Sequence, residues 1–307
     1  MGLKTGIEWT ATILPDGTVL PGATWNPWTG CTKVSEACAH CYMFTDMKRY
    51  GKDGSIVNRS KPPTFNLPLK KKRDGSFAIP SGSKVFTCSW SDWFHVKADP
   101  WREEAWEIIR RRPDVTFQIV TKRTERIAEC LPSDWGNGWP NVWLIATVEN
   151  QEWADVRIPQ LLSVPAVVHG LSCEPLLGPV VLPADFLALG NRAWCITGGE
   201  SGHHPRPTHP AWVQSLRDQC VAAGVPHFLK QWGEWVDLHQ SPECMEARNN
   251  GHNPGFCPID LAGQPVPNSA DRSKGEVTVY KFGKKMTGRL LDGREWSQFP
   301  EVAVANA

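Results

Sequence analysis

The sequence predicts an α/β fold, a complete or partial (β/α) barrel of the TIM type, from the rhythm of its apolar runs. Short runs rich in β-branched and aromatic residues recur, and from Cys88 onwards their ends lie about 25 to 33 residues apart. One βα unit needs about 30 residues, so strands that alternate with helices fit this spacing. The runs lie at 23–28, 84–89, 116–121, 142–147, 166–171, 193–197 and 226–230.

These runs are nearly continuous in apolar residues, which is typical of a parallel sheet covered on both faces. An open, doubly wound sheet is the alternative. The segment 100–109 carries Pro100 and acidic residues at its start and is followed by a basic run, which suits the two ends of a helix. Segments 123–131 and 211–223 show similar signals, and Gly224 would end the last one. We predict helices over all three.

Two regions break this rhythm within what we interpret as a single domain of residues 1–307. Residues 51–82, which include the basic run 70–73, are predicted to form a long loop. Residues 238–275 are polar and rich in Pro, Asn and Gly, and we interpret them as an insertion or flap near the C-terminus. A late strand is expected after them, at 277–280.

Composition excludes several classes of protein. Hydrophobic residues make up 41% and charged residues 21% of the 307 residues, which permits a sizeable core and excludes a disordered chain. No apolar stretch approaches the roughly 18 residues of a membrane span, and the N-terminus lacks a signal-peptide pattern. We therefore expect a soluble cytoplasmic protein without a membrane partner. The net charge is +1, so any nucleic acid would have to bind a local basic patch.

Ten cysteines are many for a chain expected in a reducing compartment, where disulfides are rare. Cys31, Cys38 and Cys41 are grouped, and no fourth cysteine lies near them in the sequence. Structural zinc normally has four protein ligands, whereas three thiolates on a [4Fe–4S] cluster leave one iron open to another ligand. We favour the iron–sulfur cluster. Zinc with His40 as fourth ligand, and three unligated thiols, are the alternatives.

Motifs around these cysteines and at later strand ends resemble the phage Gp37/Gp68 family, a three-Cys-motif family also found in bacterial genomes. The motifs are 26–31, the C-x6-C-x2-C-Y pattern, 121–123, 148–151, 172–179, 198–202, 228–233 and 288–294. The resemblance implies a radical S-adenosylmethionine (SAM)-like barrel, with SAM on the open iron of the cluster. It also implies a nucleic-acid base as substrate and a partner protein encoded nearby. The first cysteine gap is six residues, longer than the three of common radical-SAM proteins, and a loop accommodates it.

Polar and ionisable residues follow the predicted strands at their carboxyl ends, where (β/α) barrels carry their functional groups. The candidate catalytic residues are Asp92, Lys122, Glu149, Cys173 and Glu174. The candidate cofactor-binding residues are Ser89, Gly198, Gly199 and Glu200, because a Gly-Gly-Glu motif holds the methionyl amino group in radical-SAM proteins. The simpler interpretations are ion pairs inside a barrel mouth, a buried thiol at Cys173, and a glycine turn followed by a solvated Glu200.

Two functions are compatible with these features. The first is a radical-SAM-like enzyme that modifies or repairs a nucleic-acid base. The second is a non-enzymatic, metal-stabilised factor that binds nucleic acid or protein. The basic runs 70–73 and 110–112 could add phosphate contacts, although such runs are usually solvated surface. His203, His204 and His209 could ligate a metal, but their Pro-rich context favours a surface loop.

Overall fold

The computed structural model describes residues 2–267 and 270–301. Residues 268 and 269 of the predicted flap, and residues 1 and 302–307 of the predicted domain, lie outside the described residues. The strands are β1 Thr12–Ile13, β2 Val19–Leu20, β3 Ala23–Trp25, β4 Trp28–Thr29, β5 Asn58–Arg59, β6 Lys84–Thr87, β7 Thr116–Thr121, β8 Val142–Thr147, β9 Val168–Cys173, β10 Ala193–Gly198, β11 His227–Gln231, β12 Trp235–Asp237, β13 Phe256–Ile259, β14 Val277–Lys281, β15 Leu290–Leu291 and β16 Arg294–Glu295. The α-helices are α1 Tyr42–Arg49, α2 Pro62–Phe65, α3 Asp99–Arg110, α4 Gln151–Leu162, α5 Ala184–Leu187, α6 Pro210–Ala223, α7 Pro242–Asn249 and α8 Lys284–Thr287.

Seven strands form the main sheet, in the order β11-β10-β9-β8-β7-β6-β3. The pairs β3–β6, β6–β7, β7–β8 and β10–β11 are parallel. Within this sheet, strands that are consecutive along the chain are neighbours, as in a (β/α) barrel. Strands β3 and β11 are the two edge strands. A doubly wound sheet would reverse its order at a switch point, so that alternative is wrong. A mixed α/β fold with a partial-barrel sheet is confirmed.

The apolar runs and helix signals explain most of these elements. All six residues of β8 are buried, as expected for a strand covered on both faces. The helix α3 has Pro100 in its first turn and buries Trp106 and Ile109, and α6 ends at Gly224 in the left-handed region. Two predicted helices are therefore confirmed. The helix predicted over 123–131 is wrong, because two short 3-10 helices, Thr124–Arg126 and Ala128–Cys130, occupy that segment.

The two regions that break the rhythm are more ordered than a loop and a flap. Residues 51–82 contain β5, α2 and the 3-10 helix Leu67–Leu69. Residues 238–275 contain α7 and β13. Strand β13 pairs with β14, which also pairs with β12, in an antiparallel sheet of order β12-β14-β13. The predicted late strand is confirmed as β14, and the region before it adds the outer strand of a second sheet.

The chain divides into two compact units. Unit 1 comprises Met1–Ala146, Pro159–Gly170 and Glu301–Ala307. Its core is rich in tryptophan: the ring of Trp93 lies 5.8, 5.0 and 4.8 Å from those of Trp25, Trp28 and Trp106, all four being buried. This packing uses the large apolar area of tryptophan and accounts for part of the 16 Trp in the composition.

Unit 2 comprises Thr147–Ile158 and Leu171–Pro300. It includes the antiparallel sheet, whose buried face is formed by Ile259, Val277 and Val279. Within the described part of the chain, no helix is both long enough and apolar enough to span a membrane.

Candidate functional site

The cysteine loop, residues 30–41, starts at a glycine that its surroundings require. Gly30 has a φ of 93°, and its N–H donates to the carbonyl of Trp90 at 2.9 Å. A Cβ at this position would lie 2.1 Å from the carbonyl oxygen of Ile56, so only glycine fits between these backbone segments. Cys31 then donates its N–H to the carbonyl of Gly54 at 2.9 Å. The start of the loop is thus fixed on two sides.

Cys38 and Cys41 lie at the start of α1. Cys38 is the last residue of the 3-10 helix Glu36–Cys38 and is buried, and Cys41 directly precedes α1. Burial raises the pKa of Cys31 to about 11 and also raises the pKa of Cys41, and a charge on Cys38 would raise both further. Cys38 therefore lies within electrostatic reach of both other cysteines, and all three belong to one region of unit 1.

A buried arginine holds the first cysteine. Arg123, two residues after β7, donates from Nη1 to the Sγ of Cys31 at 3.4 Å and from Nη2 to the carbonyl and hydroxyl of Thr32, each at 2.8 Å. Its Nη1 also lies 3.2 Å from Oδ2 of Asp92, and the two side chains are only 7% and 6% exposed. This buried ion pair positions Cys31 and Thr32 from the ends of β6 and β7.

Asp92 is itself held by several donors. Its Oδ1 accepts from the hydroxyl of Thr121 at 2.8 Å and from the N–H of Phe94 at 2.9 Å. Its Oδ2 accepts from the N–H of Lys122 at 3.0 Å. The carboxylate therefore joins the β6 and β7 ends directly, and its partners satisfy the charge that burial would otherwise penalise.

His95 supports the cysteine loop from the other side of Thr32. Its Nδ1 accepts from the N–H of Lys97 at 3.1 Å, so the proton lies on Nε2, which donates to the Thr32 hydroxyl at 3.1 Å. Burial, aided by the charge of Arg123, lowers the pKa of His95 to about 4. The ring is therefore neutral near pH 7 and acts as a fixed hydrogen-bond donor.

In unit 2, the acidic strand-end candidates each have a basic partner. The pairs are Glu149–Arg157 at 2.6 Å, Glu174–Lys230 at 2.7 Å and Glu200–Arg206 at 2.6 Å. The first pair is 0% and 1% exposed, whereas Glu174 and Lys230 keep 19% and 30% of their side-chain exposure. Of the three carboxylates, Glu174 is accordingly the one that solvent and a ligand reach most readily.

The two glycines of the Gly-Gly-Glu motif have packing reasons to be glycine. A Cβ on Gly198 would lie 3.2 Å from the carboxyl carbon of Glu174, and one on Gly199 would lie 1.9 Å from the carbonyl oxygen of Trp232. Glu200 is buried rather than solvated, because Arg206 donates to both of its oxygens. Close backbone approach therefore explains Gly199 without a cofactor.

The three cysteine thiols have the right chemistry for an iron–sulfur cluster, but their positions in the described part of the chain do not form a metal site. Three thiols, one of them hydrogen-bonded to an arginine, are suitable ligands for an iron–sulfur cluster, because the cation offsets part of the thiolate charge. Among residues 2–267 and 270–301, however, no group of three or more His, Cys, Asp or Glu side chains stands close enough together to hold a metal ion. The three cysteines therefore fit the cluster by the chemistry of their donor atoms.

A comparison with protein families assigns the chain. The family model described as a protein of unknown function, DUF5131, matches residues 4–300. The chain belongs to the DUF5131 family. No curated protein and no solved structure matches it. The DUF5131 match covers both units, so the cysteine loop and the strand-end residues all fall within the family's shared region.

Part of the predicted site of this DUF5131 chain lies together. Asp92, Lys122 and Ser89 are in unit 1 with the cysteine loop: Asp92 and Lys122 join through a backbone hydrogen bond, and Ser89 accepts from the amide of Asn26 at 2.8 Å. The remaining candidates are in unit 2: Glu149, Cys173, Glu174, Gly198, Gly199 and Glu200. Cys173 is buried, and a hydrogen bond with it raises the pKa of Cys195. The catalytic and cofactor-binding roles stay predictions.

Sequence reasoning missed Arg123, Thr32 and His95. A signal for Arg123 was present, because side chains alternate at a strand end and Arg123 follows the β7 residue Thr121 by two positions, on the same side. Nothing in the local sequence marks Thr32 or His95. Their roles follow from contacts with residues more than 60 positions away.

Two smaller expectations are wrong in part. His203 and His204 are exposed, but His209 is buried, caps α6 by accepting from the N–H of Ala211, and faces the Gly275 carbonyl at 3.0 Å. Arg112 of the basic run 110–112 is fully buried against Asp114, so it is not part of a phosphate-binding surface.

Proposed function

We propose that this chain is an iron–sulfur enzyme of the radical-SAM type, with Cys31, Cys38 and Cys41 as cluster ligands and a nucleic-acid base as substrate. The observation that supports it most is in unit 1, where the thiol of Cys31 lies beside the buried Arg123–Asp92 pair. That pair stands just after β6 and β7, at the carboxyl ends where (β/α) proteins place their chemistry.

The chain's own residues would hold and orient the bound groups. When bound, a [4Fe–4S] cluster on three cysteines supplies an open iron for SAM and an electron for its reductive cleavage. Arg123, by donating to the Cys31 sulfur, would offset part of the ligand charge. Burial raises the pKa of Cys41 and the charge of Lys122 opposes that shift, so Lys122 would favour the ligating thiolate.

In unit 2, the exposed fractions of the side chains indicate which carboxylate can contact a ligand. Glu174 and Lys230 are half-buried and could exchange their mutual contact for one with a bound ligand. Glu149 is completely buried against Arg157, whose Nη1 also donates to the carbonyl of Thr147 at 2.8 Å. A buried pair of this kind is suited to fixing the middle of α4 to the end of β8. We therefore propose Glu174 as a ligand contact and Glu149 as a structural residue.

Iron and sulfide analysis of anaerobically reconstituted protein tests the cluster. We expect about four iron and about four sulfide per chain, and far less in Cys38→Ala, which loses one of three ligands. Cys257→Ala is the matched control, because Cys257 is a partly buried cysteine of unit 2 outside the cysteine loop, and it should match the wild type. Stoichiometric zinc without sulfide would contradict the proposal and favour the metal-stabilised binding factor.

The same samples separate an enzyme from a structural iron–sulfur protein. Added SAM should change the electron paramagnetic resonance spectrum of the dithionite-reduced protein, and 5′-deoxyadenosine should form. A spectrum that is identical with and without saturating SAM would contradict an enzymatic role and leave a structural one.

A further inference from the structure

The positive charge of this chain is concentrated in one segment of unit 1. Residues 30–73 contain ten Lys and Arg but three Asp and Glu, a net charge of +7, whereas the whole chain carries +1. The remaining residues therefore carry −6. Nine of the ten basic side chains are exposed, and the tenth, Arg59, is partly buried and pairs with Glu104. Such a local field attracts a polyanion that the net charge alone would not indicate.

The same segment presents aromatic rings beside the cysteine loop. Tyr42 is 52% and Tyr50 is 68% exposed, at the first residue and the C-cap of α1. The ring of Tyr50 lies 5.9 Å from that of Trp90, which is only partly buried. The hydroxyl of Tyr42 donates to the Ser89 carbonyl at 2.6 Å, which ties α1 to the segment that carries Trp90. Tyr50 and Trp90 thus form an exposed pair of rings on an ordered support.

We infer that the surface at the C-terminal end of α1, formed by Lys48, Tyr50, Lys52 and Trp90, binds single-stranded nucleic acid. Unpaired bases would stack on Tyr50 and Trp90, and phosphates would pair with the lysines that flank Tyr50, Lys48 and Lys52. A single strand is favoured over a duplex, because the ring faces of paired bases are covered by their neighbours. A polyanion is favoured over a protein, because lysine is depleted in protein–protein interfaces.

This inference deepens the proposed function. It rests on that function only in assuming that the cysteine loop, next to this surface, is where the reaction occurs. The carbonyl of Trp90 accepts from the N–H of Gly30, so the backbone that carries the Trp90 ring is hydrogen-bonded to the first residue of the loop. A strand held on the ring pair would pass beside the cysteine loop. The surface would thus deliver a base to the place where the proposed chemistry occurs.

Fluorescence anisotropy tests the surface with a labelled single strand of about 20 nucleotides, as DNA and as RNA. Tyr50→Ala should weaken binding by about 5- to 150-fold, the loss expected for one base stacked on one ring. Lys48→Ala/Lys52→Ala should reduce the slope of log affinity against log salt by about 1.4, or about 0.7 for each lost phosphate contact. The control is Lys284→Ala/Lys285→Ala, a pair of exposed lysines in unit 2, which should change neither quantity.

The other outcomes are equally decisive. Equal affinity of the wild type and Tyr50→Ala, or equal effects of the two lysine pairs, would overturn the inference. So would tight binding to anionic phosphatidylglycerol vesicles under conditions that leave single strands unbound, because the surface would then be a membrane surface. Iron content and strand binding are measured separately on the wild type. A protein without iron that binds strands would refute the proposed function alone, and one with iron that binds none would refute this surface alone.

Discussion

The side chain of Arg123 contacts the candidate ligand Cys31, its neighbour Thr32 and the carboxylate of Asp92. Arg123 and Asp92 are both buried, so each compensates the charge of the other. The ion pair therefore has two effects: it stabilises unit 1, and it determines where Cys31 lies before any metal binds.

Replacing Arg123 with Gln should lower the free energy of unfolding by about 3–5 kcal/mol, because the buried Asp92 carboxylate loses its counter-ion. Urea denaturation followed by circular dichroism measures the loss. Arg110→Gln is the matched control, since Arg110 also pairs with two carboxylates, Glu107 and Asp134, but at an exposed site. It should cost less than about 1 kcal/mol. Equal losses in the two variants would contradict the role given to the Arg123–Asp92 pair.

At this scale, the sequence predicts which residues carry chemistry better than it predicts their partners. Grouped cysteines and an aspartate after β6 are visible as patterns, and the structure places Asp92 next to the cysteine loop. The contact of Arg123 with Cys31 spans 92 positions, and no local pattern encodes such a separation.

At the scale of elements, the turn that begins the cysteine loop requires glycine at position 30. Gly30→Ala places a Cβ against the Ile56 carbonyl at a positive φ, so it costs both backbone strain and a steric clash. Gly75→Ala is the matched control: Gly75 also has a positive φ, of 84°, but nothing lies within 4 Å of its added Cβ. Gly75→Ala should cost about 1–2 kcal/mol. Gly30→Ala should cost clearly more in urea denaturation, and equal losses would mean that the turn can relax.

Helix prediction succeeded where local signals decide and failed where tertiary contacts do. Capping and termination signals gave α3 and α6. Over 123–131 the same signals were misleading, because the Thr124 hydroxyl donates to Gln160 at 2.6 Å and Arg126 donates to the Phe94 carbonyl at 3.0 Å. These long-range hydrogen bonds favour two short 3-10 helices over one α-helix.

For the whole molecule, the βα rhythm was sufficient to predict the parallel sheet. Regular spacing makes consecutive strands neighbours, and the order of the seven-stranded sheet follows from that rule. The antiparallel sheet was missed because Phe256–Ile259 lies in a polar, Pro-rich region and becomes a strand only by pairing with Val277–Lys281. Its burial depends on a partner that no periodic pattern of its own reveals.

Buried histidines make the stability of unit 2 depend on pH. Burial lowers the pKa of His227 to about 3, and it also lowers the pKa of His209. His227 is fully buried, with its Nε2 3.0 Å from the Thr197 hydroxyl. The unfolded chain takes up a proton at each of these sites near the ordinary histidine pKa of about 6.5, whereas the folded chain does so only at lower pH. The free energy of unfolding therefore falls as the pH falls below about 6.5.

His227→Phe should remove the contribution of one such histidine while keeping a ring in the core. Between pH 7 and pH 5 the wild type should lose about 2 kcal/mol more stability than this variant, because only the wild type gains the unfolded-state proton at position 227. Urea denaturation at several pH values above 5 measures the difference before most carboxylates titrate. The exposed His203, changed to Asn, is the control and should leave the wild-type pH profile unaltered. Parallel pH profiles for wild type and His227→Phe would show that His227 has the same pKa in the folded and unfolded chains, contrary to its burial here.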